Sequence, residues 1–133
     1  MKTKTFKPKG YNSLSPYLIV DDANKLVDFL IHVFDAKEFR RFEDENGRIS
    51  HVELKLDDSI LMISNSTPVY PAHKTMLHYY VDDVRRVFER AIAHGGEVIQ
   101  EPVQKENDPD MRGSFYDFAG NYWSIGTQVN PEK

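Results

Sequence analysis

The chain reads as an α+β fold built from two tandem strand–helix–strand–strand–strand units, because the same pattern occurs twice. Val20-Asp21-Asp22 opens one copy and Val81-Asp82-Asp83 opens the other, 61 positions later. Behind each opening lies an apolar set with helical spacing: Ala23, Leu26, Val27, Leu30 and Ile31, then Val84, Val87, Phe88, Ala91 and Ile92. Both helical patterns are followed by strand-like segments separated by turn signals. A duplicated supersecondary unit implies a pseudo-two-fold axis, with a central cavity between curved mixed sheets and the helices on the convex side.

Each element has its own justification. Residues 14–20 read as a strand, and Asp22 suits an N-cap, its carboxylate accepting a free amide of the first helical turn. The helix should run to about Phe34. Residues 36–43 form the next strand, and Glu45-Asn46-Gly47 is a hairpin turn. From Arg48 to Leu56 the chain alternates, with Val52, Leu54 and Leu56 on one side and His51, Glu53 and Lys55 on the other. Asp57-Asp58 turns the chain into a fourth strand, 59–64. The first unit thus covers about 13–64, and residues 65–74, with two prolines, form a linker. The second unit, about 75–128, repeats the order: strand 76–81, helix 83–94 stopped by Gly95-Gly96, strand 97–103, an Asp/Asn/Pro-rich loop, and strands 112–118 and 122–127. The long connections at 65–74 and 104–111 could serve as lids or be plain connections. The whole of 1–133 is expected to be a single domain.

Composition narrows the function. The net charge is −4, which disfavours nucleic acid, since phosphate binding needs clustered cations. The cluster Lys2, Lys4, Lys7, Lys9 lies in a stretch without periodicity and reads as a solvated arm. With no cysteine there is no disulfide, thiolate catalysis or sulfur-ligated metal site. The sequence holds no apolar run long enough to span a membrane, and the basic N-terminus is followed by no apolar stretch. No membrane association is expected, and a cytoplasmic location is.

A helix must cover one face of its sheet, and Leu18, Val20, Leu77, Val81, Trp123 and Ile125 suit that face. The opposite face then carries Ser15, Tyr17, Ile19, Met76, His78 and Tyr80 from the first strands, and Ile60, Met62, Ser64, Tyr122, Ser124 and Gly126 from the fourth. A hollow lined by tyrosines, methionines and a histidine fits a flat or amphipathic organic molecule. Expected ligand contacts are Tyr17, His51, Glu53, Met62, Met76, His78, Tyr80, Arg112, Tyr122 and Ser124. The same tyrosines could equally be core filling, since aromatics favour sheets.

Four motifs in order, Pro16-Tyr17-Leu18-Ile19-Val20-Asp21-Asp22-Ala23, His51-Val52-Glu53-Leu54, Tyr80-Val81-Asp82-Asp83-Val84 and Arg112…Asp117-Phe118-Ala119-Gly120-Asn121-Tyr122-Trp123, resemble the glyoxalase/bleomycin-resistance/dioxygenase (vicinal oxygen chelate) superfamily, most closely its small bacterial glyoxalase-like branch. The resemblance covers about residues 12–128. It implies the duplicated fold, a homodimer, a cavity built either within one chain or across the paired sheets of the dimer, and, in metal-using members, ligands at positions that fall here on Ser15, Met62, Met76 and Ser124. A hard divalent cation wants carboxylate or imidazole, so these residues predict no metal and no cofactor.

The reading is therefore a metal-free protein that sequesters a small organic molecule. Two alternatives stay open. One is a metal-dependent lyase, isomerase or dioxygenase with a displaced site at His51, Glu53 and His78, which are also the candidate catalytic residues: a His with a positioning carboxylate can act as a general base. The other is a non-catalytic interaction module with a filled core. Arg41 and Arg112 could hold an anionic substrate. His94 suits a helix end, His32 lies on a helix, and His73 falls in the linker.

Overall fold

The computed structural model describes residues 5–131; Lys2 and Lys4 of the basic cluster lie outside the described residues. The elements are β1 (Tyr17–Val20), α1 (Ala23–Phe34), β2 (Lys37–Glu43), β3 (Ile49–Leu56), β4 (Ser59–Asn65), β5 (Met76–Tyr80), α2 (Val84–Ala93), β6 (Glu97–Val103), β7 (Asp110–Tyr116) and β8 (Tyr122–Gln128). They form two four-stranded mixed sheets of the same order, β1-β4-β3-β2 and β5-β8-β7-β6. In each, the first strand pairs parallel with the fourth and the rest are antiparallel.

The repeat extends to individual hydrogen bonds. Asp22 accepts from the Lys25 amide at 3.1 Å, and Asp83 from the Arg86 amide at 3.2 Å, each capping its helix. The first helical amide is met from the last strand of the same unit in both copies. Ala23 N donates to Asn65 Oδ1 at 2.9 Å and Val84 N to Thr127 Oγ1 at 2.9 Å. Such bonds satisfy donors that helix geometry leaves unpaired.

The helix ends differ. Past α2, Gly95 has φ 102°, and a Cβ on Gly96 would sit 2.8 Å from the Ala91 carbonyl oxygen, so the Gly-Gly stop is steric. Past α1, Asp35 takes the left-handed conformation at φ 57°, a role an aspartate fills less often than glycine. β1 begins at Tyr17 rather than Leu14, because Pro16 has no amide to give; its carbonyl still accepts from Met62 N at 3.0 Å.

The two units share one core. Phe34, at the end of α1, crosses to the second unit, with ring centres 5.0 Å from Trp123 and 5.0 Å from Tyr79. Phe29 meets Phe115 at 6.0 Å. Leu18, Leu30, Leu54, Phe115, Trp123 and Ile125 are buried in the same cluster, and such burial drives folding. The helix-facing sides of both sheets thus look into a common interior, and their other faces look away from it.

The motif ending in Asn121-Tyr122-Trp123 is structural. Buried Asp117 accepts from the amides of Ala119 and Asn121, from Asn121 Nδ2 and from Trp123 Nε1, all at 2.9–3.0 Å. Asn121 Oδ1 in turn takes the Thr75 amide at 2.9 Å, fastening the end of the linker to the start of β8.

Candidate functional site

Register fixes which side chains meet on the open faces. Across the first sheet Tyr17, Met62, Glu53 and Arg40 stand in one row. Across the second the corresponding row is His78, Ser124, Ser114 and Gln100. Residues in register across a sheet project to the same side.

The first face carries a continuous hydrogen-bonded chain. His51 Nε2 lies 2.8 Å from Glu53 Oε2, and a carboxylate only accepts, so Nε2 donates. In the neutral ring Nδ1 then accepts from the Tyr17 hydroxyl at 3.0 Å. The other carboxylate oxygen, Oε1, accepts from the Tyr11 hydroxyl, and Arg40 Nε lies 3.8 Å from it. Glu53 is only 5% exposed. Burial alone would push its carboxyl up, but the hydrogen bonds from Tyr11 and His51, with the His51 and Arg40 charges, outweigh that and hold it below the usual range.

The second face carries a different set at the same place. Arg112 donates from Nε to Asp108 at 3.0 Å, from Nη2 to Asp110 at 2.7 Å and from Nη1 to His78 Nε2 at 3.0 Å. Asp110 also takes the Tyr80 hydroxyl at 2.6 Å. The bond to Asp108 is the main reason that the guanidinium holds its proton even more firmly than usual. Burial and the Arg112 charge push His78 below its ordinary value, against the opposing charge of Asp110. Tyr17 and His51 in copy one match His78 and Arg112 in copy two, and both pairs touch at 3.0 Å.

Where the two units meet lies a mostly apolar cavity of about 460 Å³. Ser15 and Pro16 enter it from before β1, Leu56, Ser59, Ile60 and Leu61 from the β3–β4 hairpin, Leu77, His78 and Tyr79 from β5, and Trp123 from β8; Asn12 and Leu14 of the arm close one wall. Of the ten expected ligand contacts, His78 alone lines this cavity. Tyr17, His51, Glu53 and Met62 lie on the first open face, and Met76, Tyr80, Arg112, Tyr122 and Ser124 belong to the strands of the second sheet.

The displaced metal site does not assemble. His51 and Glu53 bond each other, while His78 bonds Arg112 on the other sheet, and no group of three or more His, Asp or Glu able to hold a metal occurs among the described residues. A cation beside His78 would also face a guanidinium at 3.0 Å. At the resemblance-implied positions Ser15, Met62, Met76 and Ser124 the donor chemistry remains unsuited to a hard divalent ion. Nor are the two arginines free anion receptors: Arg41 donates to Glu38 and Glu43, and Arg112 to two aspartates.

Four participants were not marked by the sequence, Tyr11, Arg40, Asp108 and Asp110. Tyr11 lies in an arm without periodicity, Asp108 sits in an irregular loop, and Arg40 faces Glu53 only through a register shift in β2. The Asn-Asp-Pro-Asp run at 107–110 was the one signal for Asp108 and Asp110.

Comparison with known proteins agrees with this architecture. A protein of Mycobacterium bovis (strain ATCC BAA-935 / AF2122/97), described as uncharacterized, is 30% identical over 128 residues, covering 88% of this chain and 84% of its own. Among solved structures, TioX from Micromonospora sp. ML1 is similar with a TM-score of 0.75 at 22% identity, over 88% of this chain and 98% of that one. A mutant of the fosfomycin resistance protein FosX from Listeria monocytogenes, complexed with Mn(II) and 1S,2S-dihydroxypropylphosphonic acid, gives 0.63 at 22% identity, over 85% and 88%. The profile of the Glyoxalase/Bleomycin resistance protein/Dioxygenase superfamily matches residues 11–125, and the chain belongs to that superfamily.

Proposed function

We propose that this chain binds a small organic molecule in the cavity between its two units and holds it without a resident metal. The observation that carries this reading is the cavity itself: about 460 Å³, walled from both units, within the range of small-molecule sites. Binding is hydrophobic in origin, with Leu61, Leu77 and Trp123 supplying apolar surface.

The test is titration with the neutral fluorophore N-phenyl-1-naphthylamine, alongside a thermal-shift series. Ligand at a hundred times its Kd should stabilise the fold by about 2.7 kcal/mol. Ser59→Trp, which projects a ring into the cavity from a partly buried position, should abolish binding while the fold persists. Unchanged binding in that variant would falsify the assignment.

A second reading is favoured by the hydrogen-bonded chain Tyr17–His51–Glu53. With Glu53 orienting the ring, His51 can take the Tyr17 proton and make the phenol oxygen a base for a substrate on the open face. An activity lost equally in Tyr17→Phe and His51→Gln, and retained in Ser59→Trp, would favour it over sequestration.

We also propose a cytoplasmic homodimer. Exposed Tyr17 and Phe42 on the first sheet, and Met76 and Tyr80 on the second, are surface that a second copy would cover. Light scattering should give twice the 15.4 kDa chain mass, and Tyr80→Glu should reduce it. No helix among the described residues is long and apolar enough to cross a membrane.

A further inference from the structure

Two histidines that neither the cavity nor the open faces use meet at the ends of the two helices. His32 lies in the last turn of α1, and His94 caps the C-terminus of α2. α1 belongs to the first unit and α2 to the second, and the two helices pack together. The ring centres are 5.2 Å apart, with the planes at 41°. Together with Phe29, Gly95 and Phe118 the two rings line a pocket of about 220 Å³, which shares no residue with the cavity between the sheets.

The donor state of His32 is set by its own helix. Nδ1 lies 2.6 Å from the Asp28 carbonyl oxygen, which only accepts, so Nδ1 carries a proton. In the neutral ring Nε2 then keeps its lone pair, on the side of the ring away from that carbonyl. Metal-ligating histidines are held in this way, with the second nitrogen donating to a carboxylate or a backbone carbonyl. Among the described residues, neither His32 Nε2 nor either ring nitrogen of His94 has a hydrogen-bond partner in the protein.

The ring separation suits one tetrahedral ion. Imidazole nitrogen binds Zn²⁺ at about 2.0 Å, which puts the ion about 3.2 Å from the ring centre, and two rings at the tetrahedral angle then stand about 5.2 Å apart. Both histidines are exposed, so a hydrated ion can reach them. The local field favours a cation, because two helices end here and each presents its last carbonyls and the negative end of its dipole. Asp28 and Lys25 also line the pocket, and their formal charges offset each other; the Lys25 ammonium sits 4.5 Å from the centre of the Phe118 ring. Among the described residues no third His, Asp or Glu completes the set. Water therefore fills the remaining positions, and the ion exchanges rather than being built in.

We propose that His32 and His94 form a two-imidazole site for an exchangeable zinc ion, ligated through His32 Nε2, that ties the C-terminal ends of α1 and α2 together. Because one ligand comes from each unit, the ion strengthens their docking. Imidazole suits a borderline ion such as Zn²⁺, whereas Mg²⁺ wants oxygen ligands.

Calorimetric titration of Zn²⁺ into the tag-free full chain, in a non-coordinating buffer and with Mg²⁺ for comparison, tests the site. One Zn²⁺ should bind per chain and raise the Tm, and Mg²⁺ should do neither. His32→Ala and His94→Ala should each weaken binding at least about tenfold, the least that losing even a supporting contact of a metal ligand costs. Both side chains are exposed, so both variants should fold. His73→Ala, changed at an exposed position outside the pocket, should bind as the wild type does. Imidazole nitrogen NMR of the unmutated chain should show zinc on His32 Nε2 with Nδ1 still protonated. No Zn²⁺ binding, affinity unchanged in either alanine variant, an equal loss in His73→Ala, equal uptake of Mg²⁺, or zinc on His32 Nδ1 overturns the proposal.

Discussion

Removing one hydroxyl, with Tyr11→Phe, should loosen the N-terminal arm from the first sheet. The phenol donates to Glu53 Oε1, and its ring also packs against Phe39 at 6.0 Å and beneath Arg40 at 5.2 Å. Phenylalanine keeps the ring contacts and deletes only the donor. A hydrogen bond to a charged group is worth about 1.5–3 kcal/mol. Tyr11 is half-buried, so water can partly replace the lost donor, and the loss should fall at the low end, about 1.5 kcal/mol. In a double-mutant cycle with Glu53→Gln the coupling should be about 1 kcal/mol. The pH dependence carries a sign. Glu53 is held below its ordinary 4.5 in the folded state, so its stabilisation is fully present above that pH and is lost as the pH falls through the folded value. Without the Tyr11 bond the carboxyl titrates higher, and acid destabilisation should begin at a higher pH. Urea unfolding at neutral and acidic pH, with carboxyl-carbon NMR of Glu53, reads both quantities. Wild-type stability at both pH values together with an unshifted Glu53 titration would refute the reasoning.

Three further outcomes follow from the same geometry. Asn65→Ala and Thr127→Val each strip the first amide of a helix of its partner and a carbonyl of its donor, Ile49 at 2.9 Å and Val81 at 2.7 Å, and should cost about 1–2 kcal/mol in urea unfolding; Asn65→Ala should cost more, since Asn65 is buried and Thr127 only partly so. Asp117→Ala leaves four donors without their acceptor, two of them on the buried Asn121 and one on Trp123, and should cost at least about 3 kcal/mol, read as a fall in Tm with altered Trp123 fluorescence. The Tyr79 phenol is pushed up to about 12, first by burial and then by the charges of Asp57, Asp58, Asp35 and Asp82. A raised folded-state value means that its stabilising effect is present below 10 and is lost as the pH climbs toward 12. Absorbance titration near 295 nm should show a late-titrating tyrosine that vanishes in Tyr79→Phe.

The duplicated fold was legible because period and spacing are local: the helical stripes and both capping aspartates can be read one turn at a time. Alternation along residues 48–56 likewise put His51 and Glu53 on one side, as observed. What failed to show was how the faces are distributed in space. Whether His51 and His78 share a hollow depends on how one unit docks on the other, which is decided by Phe34 reaching Tyr79 and Trp123. A phenylalanine at the end of an amphipathic helix carries no mark of which unit it will enter. Tyr11 is illegible for another reason. It acts through a single long-range bond across 42 residues, from a segment with no repeating pattern, so only the folded chain brings it to Glu53.

The repeat explains why both open faces hold a polar cluster at one place, and why the clusters do different things. Duplication copies backbone and register, so a side chain from the first strand meets one from the third at 3.0 Å in both units. What occupies the two positions is free to drift. In the first unit a phenol meets an imidazole backed by a buried carboxylate, an arrangement able to shift a proton along its length. In the second an imidazole meets a guanidinium clamped by two carboxylates, an arrangement that fixes a tautomer and leaves no proton to move. The clamp also ties the 104–109 loop to β7, since Asp108 lies in that loop and Gln104 donates to its carbonyl at 3.2 Å. Exchange of the paired residues between units should therefore transfer the property. Placing histidine at position 112 and tyrosine at position 78 removes both the tautomer lock and the loop clamp, so amide exchange should accelerate across 104–109 even though the fold, carried by the shared core, stays intact.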